Sequence, residues 1–349
     1  MRIRRILRQF AQGTFVGVLG LFLLAASPSA SLGAEKILFL ADWVIYGIHA
    51  PFASAIHEGF FKEEGLEVSF HRGYGSGETV KTVGLGKADF GVASMGPLII
   101  SRVRGNPVRQ IAMQGHKFVQ GIFYLKGSGI SKPKDFEGKR MGGPMGSADR
   151  LMLPIFCKAT GINCSAIQWI SMESSAKVPS LVTGRVEAMP DFSALAPQYE
   201  SAANAAGKDV AFLAYADWGV DIYSNGNVAS EKTIKGRPRT VQKFVNAVMR
   251  GWAWAYRNPD AAVGDLLKQR PELSRGINRR SLKVTLAHLF DGLSEKQGIG
   301  VMDREKVKRT IEVTLTASNI QAALNPDDVF TNDFASRVPE QWRFPKGKP

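Results

Sequence analysis

The 349-residue sequence is poor in the residues from which many catalytic and metal sites are built. It contains only two cysteines and five histidines. His57-Glu58 is followed by Gly-Phe-Phe, so it does not form an H-E-x-x-H site, and neither a G-x-S-x-G elbow nor a phosphate-loop pattern occurs. Because no nucleophile, base or metal set is assembled, we expect a protein that is not an enzyme and that binds neither a metal nor a cofactor.

The two cysteines, Cys157 and Cys164, enclose six residues in the segment CKATGINC. A metal site needs more ligands than this pair offers, and a redox-active pair more often has the spacing C-x-x-C. In an oxidising compartment the pair can close a small loop. The spacing therefore predicts a disulfide, with two unpaired cysteines as the alternative.

Long hydrophobic runs are scarce as well. The apolar run at 15–26 is shorter than the roughly 20 residues that a membrane-spanning helix needs. A start with four arginines precedes it and small residues follow it as far as Ala34, which is the three-part pattern of a secretory signal peptide. We expect residues 1–34 to be this signal peptide and the mature chain to be periplasmic; an uncleaved membrane anchor is the alternative.

Acidic residues are outnumbered, with 31 Asp and Glu against 45 Lys and Arg, for a net charge of +14. Loss of the leader's four arginines lowers this to +10. The basic residues are scattered rather than clustered, so we expect a positively charged surface and no nucleic-acid partner.

The mature chain opens with alternating strand and helix patterns. KILFLA is a continuous apolar run typical of a strand buried on both faces. A helix is predicted from Pro51 to Gly65, because Phe52, Ile56 and Phe60 recur at a spacing of four. LEVSF then alternates as a second strand. The loop between the first strand and the helix contains two aromatic residues, an acid and an imidazole, which a core does not need there.

One pattern occurs twice, about one hundred residues apart. Val80, Val83 and Gly86 have the same spacing as Val178, Leu181 and Gly184. Gly-Lys-Ala-Asp at 86–89 corresponds to Gly-Arg-Val-Glu at 184–187, and a strand follows each. The repeat predicts two related α/β lobes, each with a parallel sheet covered by helices and with ligand-binding loops at the carboxyl ends of its strands.

Six segments carry a resemblance to a known family. They are Asp42-Trp43, EGFFKEEGLEV, GSGETV, LGKADFGVAS, SKPKDFEGKRMG and LVTGRVEAMPDF. Together they resemble the periplasmic substrate-binding proteins of ABC importers, in the branch that serves nitrate, sulfonates, taurine and thiamine-pyrimidine precursors. The resemblance covers about residues 36 to 320. It implies a small-molecule ligand, an ABC permease in the inner membrane as partner, and a monomer.

The resemblance also implies the fold, an α/β two-lobed type II periplasmic binding protein with two parallel-containing sheets hinged by two crossover strands. Lobe 1 is expected at 35–118 and 232–349, the latter including a C-terminal tail, and lobe 2 at 119–231. The segments QGIFYLKGS and YSNGNVASEK are expected to carry the crossings.

Candidate ligand contacts follow from the strand ends and glycine-rich helix starts of both lobes. His49 and Ser147 are equally explained as helix caps, and Trp43 or Tyr46 as a plug in the apolar contact between the lobes. The candidates are Asp42, Trp43, Tyr46, His49, Gly75, Ser76, Gly77, Glu78, Thr79, Ser94, Met95, Gly143, Met145, Ser147, Asp191 and Tyr223.

The identity of the ligand is left more open. In the thiamine-precursor branch the first motif reads Asp-Trp-x-Pro-Asn-x-x-His; this chain has Asp42, Trp43 and His49 at that spacing, but Ile45 and Tyr46 replace Pro and Asn. We expect a flat aromatic or heterocyclic ligand, such as a thiamine-pyrimidine precursor. The alternatives are an anion of the sulfonate, taurine or nitrate type, or an enzyme of thiamine-pyrimidine biosynthesis.

Overall fold

A computed structural model describes residues 33–289 and 292–346 of the chain. The predicted signal peptide lies outside these ranges, apart from its last two positions. Ten strands are found in the described part of the chain. They are β1 Glu35–Leu40, β2 Leu66–His71, β3 Phe90–Ser94, β4 Val108–Met113, β5 Gln120–Leu125, β6 Arg140–Gly143, β7 Gln168–Ser171, β8 Ala188–Phe192, β9 Val210–Ala214 and β10 Asn225–Ser230.

Helices cover and connect the strands. They are α1 Ala50–His57, α2 Phe60–Glu63, α3 Ser76–Gly84, α4 Met95–Val103, α5 Ala148–Thr160, α6 Lys177–Val182, α7 Ala196–Ala205, α8 Glu231–Gly236, α9 Pro238–Arg257, α10 Pro259–Gln269, α11 Arg275–Ala287, α12 Ser294–Gln297, α13 Arg304–Ala317, α14 Pro326–Val329 and α15 Glu340–Arg343. In this described part, no helix is both long and apolar enough to cross a membrane.

The strands form two sheets with the same internal order. Sheet 1 runs β2-β1-β3-β10-β4 and sheet 2 runs β7-β6-β8-β5-β9. In each sheet three parallel strands are followed by an antiparallel one, β10 in sheet 1 and β5 in sheet 2. The predicted fold class, two parallel-containing sheets flanked by helices, is confirmed.

The repeated sequence pattern has a defined structural role in each sheet. The Asp89 carboxylate, at the entrance to β3, accepts from the Leu38 backbone N–H in β1 at 2.8 Å. The Glu187 carboxylate, at the entrance to β8, accepts from the Arg140 backbone N–H in β6 at 2.9 Å. The repeated acid therefore ties each central strand to its parallel neighbour, at the end of the sheet opposite the carboxyl ends of the strands.

The first helical segment differs from the prediction. The expected single helix from Pro51 to Gly65 is two short helices, α1 and α2, separated at Gly59. Gly59 has φ +77°, a left-handed conformation that glycine adopts without steric cost. The apolar spacing continues across this break, which explains why it read as one helix.

The core of sheet 1 is built with the C-terminal half of the chain. Phe244 of α9 stacks on Phe90 of β3 with ring centroids 3.9 Å apart and meets Phe39 of β1 edge-on. Trp252, about two helical turns further along α9, contacts Phe52 of α1. The apolar residues of α9 thus serve packing.

The chain passes between the sheets twice, from β4 to β5 and from β9 to β10. Strand β10 lies within the range 119–231 that the sequence assigned to lobe 2, yet it pairs with β3 and β4 in sheet 1. Below, lobe 1 denotes sheet 1 with the helices packed on it and lobe 2 denotes sheet 2 with its helices. The lobe boundaries at 118 and 231 stay predictions.

Candidate ligand-binding site between the two sheets

The carboxyl ends of the central strands face a common space between the sheets. Asp42 and Trp43 follow β1, Ser94 ends β3 and Met95 follows it, and Asp191 lies near the end of β8; all five are buried. Parallel α/β sheets carry their ligand sites at this edge. The topology therefore brings together residues from distant parts of the sequence.

A small pocket with a cavity volume of about 60 Å³, partly open to solvent, lies between the lobes and next to both chain crossings. Each lobe and both crossings contribute to its lining. The lining residues are Tyr46, Ile48, Gln114, Gly115, Lys117, Val119, Phe192, Ser193, Ala194, Ser224, Asn225, Thr285 and His288.

Five of these lining residues have a buried polar side-chain atom without a hydrogen-bond partner. The atoms are Tyr46 Oη, Gln114 Nε2, Ser193 Oγ, Ser224 Oγ and Asn225 Oδ1. A buried polar atom without a partner costs free energy, so native proteins leave few of them. Water or a polar ligand in the pocket can supply the hydrogen bonds that these five atoms lack.

Asp42 and His49 stand behind this pocket and are fully engaged with protein groups. The Tyr46 backbone N–H donates to Nδ1 of His49 at 3.3 Å, and His49 Nε2 lies 3.1 Å from Oδ1 of Asp42. The other Asp42 oxygen accepts from the Asn225 side-chain amide at 2.7 Å. His49 precedes α1 but its side chain makes no capping hydrogen bond. It is a link in a buried hydrogen-bond chain.

A buried cation holds two acids of lobe 2. Nζ of Lys177, at the start of α6, lies 2.7 Å from Asp149 of α5 and 2.8 Å from Asp191 of β8. Burial acts to lower the pKa of Lys177, but the two carboxylates outweigh it and raise this pKa. Burial raises the pKa of Asp149 to about 7 against the opposing attraction of Lys177. The Tyr199 hydroxyl donates to Asp191 at 2.9 Å.

Trp43 closes the apolar contact between the lobes. Its ring centroid lies 5.0 Å from Nζ of Lys177, a cation–π distance. Trp43 belongs to a buried apolar cluster that also contains Phe123, Leu181 and Tyr199 of lobe 2. Trp43 is not among the residues that line the pocket. The structure thus places it in the plug position that the sequence left open.

Tyr46 bridges the apolar contact and the pocket. Its ring is buried in the same cluster as Trp43, while the residue also lines the pocket. Burial, together with the nearby carboxylates of Asp42 and Asp191, raises the pKa of Tyr46 well above 10. The hydroxyl is therefore neutral at physiological pH and can both donate and accept.

Several predicted residues shape the backbone around the strand ends. The Ser94 N–H donates to Ser76 Oγ at 3.1 Å, and Thr79 Oγ1 donates to the Ala41 carbonyl at 3.0 Å. Ser147 caps α5 by accepting from the Arg150 N–H. Gly75 and Gly143 have φ of +122° and +152°, conformations that L side chains rarely adopt.

Other predicted residues lie outside the pocket. Gly77, Glu78 and Met145 line a separate, open groove on the outer edge of the contact between the lobes, and Glu78 and Met145 are exposed. Tyr223 is buried next to the second chain crossing, where its hydroxyl lies 2.9 Å from Nδ1 of His116. These four residues are not brought together with Asp42 and Asp191.

Sequence reasoning missed Lys177, Asp149 and Asn225, as well as Gln114, Ser193 and Ser224. Lys177 reads as a solvent-facing residue at the start of a short helix. Asp149 follows the Ser147 cap in GSADRL, and a carboxylate in the first turn of a helix has an ordinary electrostatic explanation. The one available signal was that Ser224 and Asn225 belong to YSNGNVASEK, the segment predicted to cross between the lobes.

Two further predictions concern the cysteines and metal binding. A disulfide joins Cys157, in α5, to Cys164. Over residues 33–289 and 292–346, no group of three or more His, Cys, Asp or Glu side chains is arranged to hold a metal ion.

The strand order of the two sheets and the two chain crossings define the fold, which is that of the type II periplasmic binding proteins. The alkanesulfonate-binding protein SsuA from Xanthomonas axonopodis pv. citri has the same fold, with a TM-score of 0.67 at 13% identity over 85% of this chain and 98% of that one. A family model described as NMT1/THI5 like matches residues 47–262. The chain belongs to this family.

Curated relatives carry two kinds of name. The 4-amino-5-hydroxymethyl-2-methylpyrimidine phosphate synthase of Aspergillus parasiticus is 25% identical over 267 residues, 74% of this chain and 77% of the relative. The riboflavin-binding protein RibY of Chloroflexus aurantiacus is 24% identical over 318 residues, 89% of both chains. The first name corrects one expectation: the prediction that the chain is not an enzyme is wrong by this comparison, because curated relatives are named as synthases.

Proposed function

We propose that the protein captures a flat, hydrogen-bonding heterocycle in the pocket between its lobes and delivers it to an ABC permease in the inner membrane. The observation that carries the proposal is the set of five unpartnered buried polar atoms around one pocket. Small-molecule sites combine a mostly apolar lining with a few placed polar groups. Ile48, Val119 and Phe192 supply the apolar part here.

The contact between the lobes supports a trap that closes. The Gly77 N–H lies 3.4 Å from the Gly146 carbonyl across the lobes, and Lys177 meets Trp43. A ligand that contacts both lobes favours the closed arrangement by its differential affinity for it. In this proposal the mature chain is a periplasmic monomer, exported with residues 1–34 as its signal peptide.

A thermal-shift screen followed by calorimetry tests the proposal. The probes are aminopyrimidines, riboflavin, aromatic acids, alkanesulfonates and nitrate, since a probe at 100 times its dissociation constant stabilises the folded state by about 2.7 kcal/mol. We expect an aminopyrimidine or flavin to raise the unfolding temperature. Stabilisation by alkanesulfonates or nitrate alone contradicts the proposal. Inspection of the neighbouring genes tests the delivery step. Genes for an ATPase and a permease would support delivery to a transporter, whereas a gene for a membrane kinase would favour a sensor.

The second candidate is the synthase activity for which the fungal relatives are named, and the observation that favours it is their match over about three quarters of this chain. Expression without the leader in a fungal strain that lacks its own 4-amino-5-hydroxymethyl-2-methylpyrimidine phosphate synthase tests it. Growth without added pyrimidine supports this activity, and continued dependence on the pyrimidine contradicts it.

A further inference from the structure

The residues behind the pocket fix the hydrogen-bonding role of one of its polar atoms, Asn225 Oδ1. Asn225 Nδ2 donates to Oδ2 of Asp42 at 2.7 Å. A carboxylate accepts hydrogen bonds and donates none, so the NH₂ end of the amide must face Asp42. The carbonyl end, Oδ1, is then the end without a partner, in a residue that lines the pocket.

His49 keeps Asp42 in this orientation. Because the Tyr46 backbone N–H donates to Nδ1 of His49, the imidazole proton is on Nε2 and is donated to Oδ1 of Asp42. Both carboxylate oxygens are therefore occupied by protein donors. Asp42 and His49 have no unused polar atom to offer a guest, and they act on the pocket through Asn225.

The backbone of Asn225 is fixed equally firmly. Its carbonyl accepts from the Gln114 N–H at 3.1 Å, and the residue pairs with Ser94 at the start of β10. The backbone position from which the Asn225 side chain extends is therefore fixed, and so is the orientation of its amide. The acceptor is pre-organised before any guest arrives, which limits the ordering cost of binding.

We propose that Asn225 selects a ligand that presents an N–H donor to its Oδ1, with Asp42 and His49 as positioning residues. This inference rests on the proposed function, because it assumes that the pocket is the ligand site. The hydroxyls of Tyr46, Ser193 and Ser224 adapt to donors or acceptors, so they accommodate a ring nitrogen or carbonyl elsewhere on the ligand. The ligand class is a flat heterocycle with an amino or imide N–H.

The same reasoning disfavours the anionic alternatives. Nitrate and a sulfonate group offer only acceptor oxygens; Gln114 Nε2 and Lys117 in the lining can donate to these, but an oxygen placed at Asn225 faces its carbonyl oxygen. An oxygen against an oxygen leaves both unpaired and repels, which is how a polar site rejects a wrong ligand.

Matched pairs of probes, in each of which a methyl group takes the place of the N–H donor, test the inference on the wild-type protein. One pair is riboflavin and N3-methylriboflavin, and the other is 2-methylpyrimidin-4-amine and 2,4-dimethylpyrimidine. We expect at least one N–H probe to bind about tenfold or more tightly than its methyl counterpart by calorimetry, since a site that hydrogen-bonds a group discriminates against its loss.

Asp42→Asn separates positioning from mere structural support. The amide introduced by this substitution can donate its NH₂ to Oδ1 of Asn225, so that the Asn225 amide turns its own NH₂ toward the pocket. The affinity ratio within the pair should then fall to about one or below. A purely structural role for Asp42 would weaken both probes equally and leave the ratio unchanged. Asp265→Asn, which alters a buried acid of α10 that pairs with Ser54 and Lys268, is the matched control and should keep the wild-type ratio.

The possible outcomes distinguish failure of the inference from failure of the proposed function. Equal affinity of the N–H and methyl probes for the wild type overturns the inference and leaves the proposed function standing. Tight binding of an alkanesulfonate or nitrate overturns the inference as well. Failure of every probe to bind overturns the proposed function and the inference with it.

Discussion

Nζ of Lys177 lies 5.0 Å from the ring centroid of Trp43, and the two residues come from opposite lobes. Lys177 is buried and paired with two acids of its own lobe, so its position is fixed before Trp43 meets it. The contact therefore couples a charged cluster inside lobe 2 to the closure of the lobes. Removal of Lys177 and removal of Trp43 therefore have different expected consequences.

Lys177→Met leaves the carboxylates of Asp149 and Asp191 buried without their cation. We expect the free energy of unfolding, measured in urea at pH 7, to fall by about 3–5 kcal/mol, because an uncompensated buried charge is costly. The control is Lys126→Met, which removes an exposed pair with Asp209. It should change the stability by less than about 1 kcal/mol. Equal losses of stability in the two variants would contradict the claim that burial makes the loss of Lys177 costly.

Trp43→Ala should weaken closure rather than alter the pocket, because Trp43 does not line it. We expect the affinity for whichever probe binds the wild type to fall about tenfold or more, since the closed state becomes less populated. Trp43→Phe keeps most of the apolar contact and should bind more tightly than the alanine variant. Small-angle scattering should show a larger radius of gyration for Trp43→Ala with ligand. Wild-type affinity and compactness in this variant would rule out the closure role.

The raised pKa of Asp149 predicts a pH dependence of stability. As the pH rises from 3.8 to about 7, the unfolded chain releases this proton while the folded chain keeps it. The contribution of Asp149 to the free energy of unfolding therefore falls across this window and is constant above it. Asp149→Asn removes the effect.

Urea denaturation of the wild type and of Asp149→Asn between about pH 4 and pH 8 measures this contribution. The variant should gain stability relative to the wild type as the pH rises toward 7, whatever its constant offset from the lost ion pair. A difference that does not change with pH would show that the pKa of Asp149 is not raised.

The disulfide between Cys157 and Cys164 closes a loop with a sequence separation of 7. In the chain-entropy account, a disulfide that closes a loop of this length raises the free energy of unfolding by about 2–3 kcal/mol. Dithiothreitol should lower the unfolding temperature of the wild type and leave that of the Cys157→Ala, Cys164→Ala double variant unchanged. A wild-type protein insensitive to the reductant would show that the pair is not bonded in solution.

The fold could be predicted because its determinants are local. The repeated segments at 86–89 and 184–187 indicated two lobes, and Asp89 and Glu187 occupy equivalent positions in the two sheets. Strand ends were also predictable, which placed Asp42 and Asp191 near the space between the sheets. The break at Gly59 was not, because the apolar spacing continues across it.

The chemistry of the site depends on contacts that no local pattern encodes. Asn225 and Asp42 are 183 positions apart, and only the pairing of β10 in sheet 1 brings them together. Lys177 acquires its role from Asp149, which lies 28 positions away on another helix. The motif Asp42, Trp43 and His49 was visible, but the structure gives two of these residues a role behind the pocket and the third a role in the contact between lobes.

Calorimetric titration of riboflavin and 2-methylpyrimidin-4-amine into the wild type and Ser193→Trp tests the central claim most directly. Ser193 lines the pocket and is only half-buried, so a larger side chain can fill the space without entering the core. The account predicts that one of these compounds binds the wild type at one per chain, and that Ser193→Trp abolishes the binding while thermal unfolding is unchanged. Wild-type affinity in the filled variant would contradict the claim that the pocket between the lobes holds the ligand.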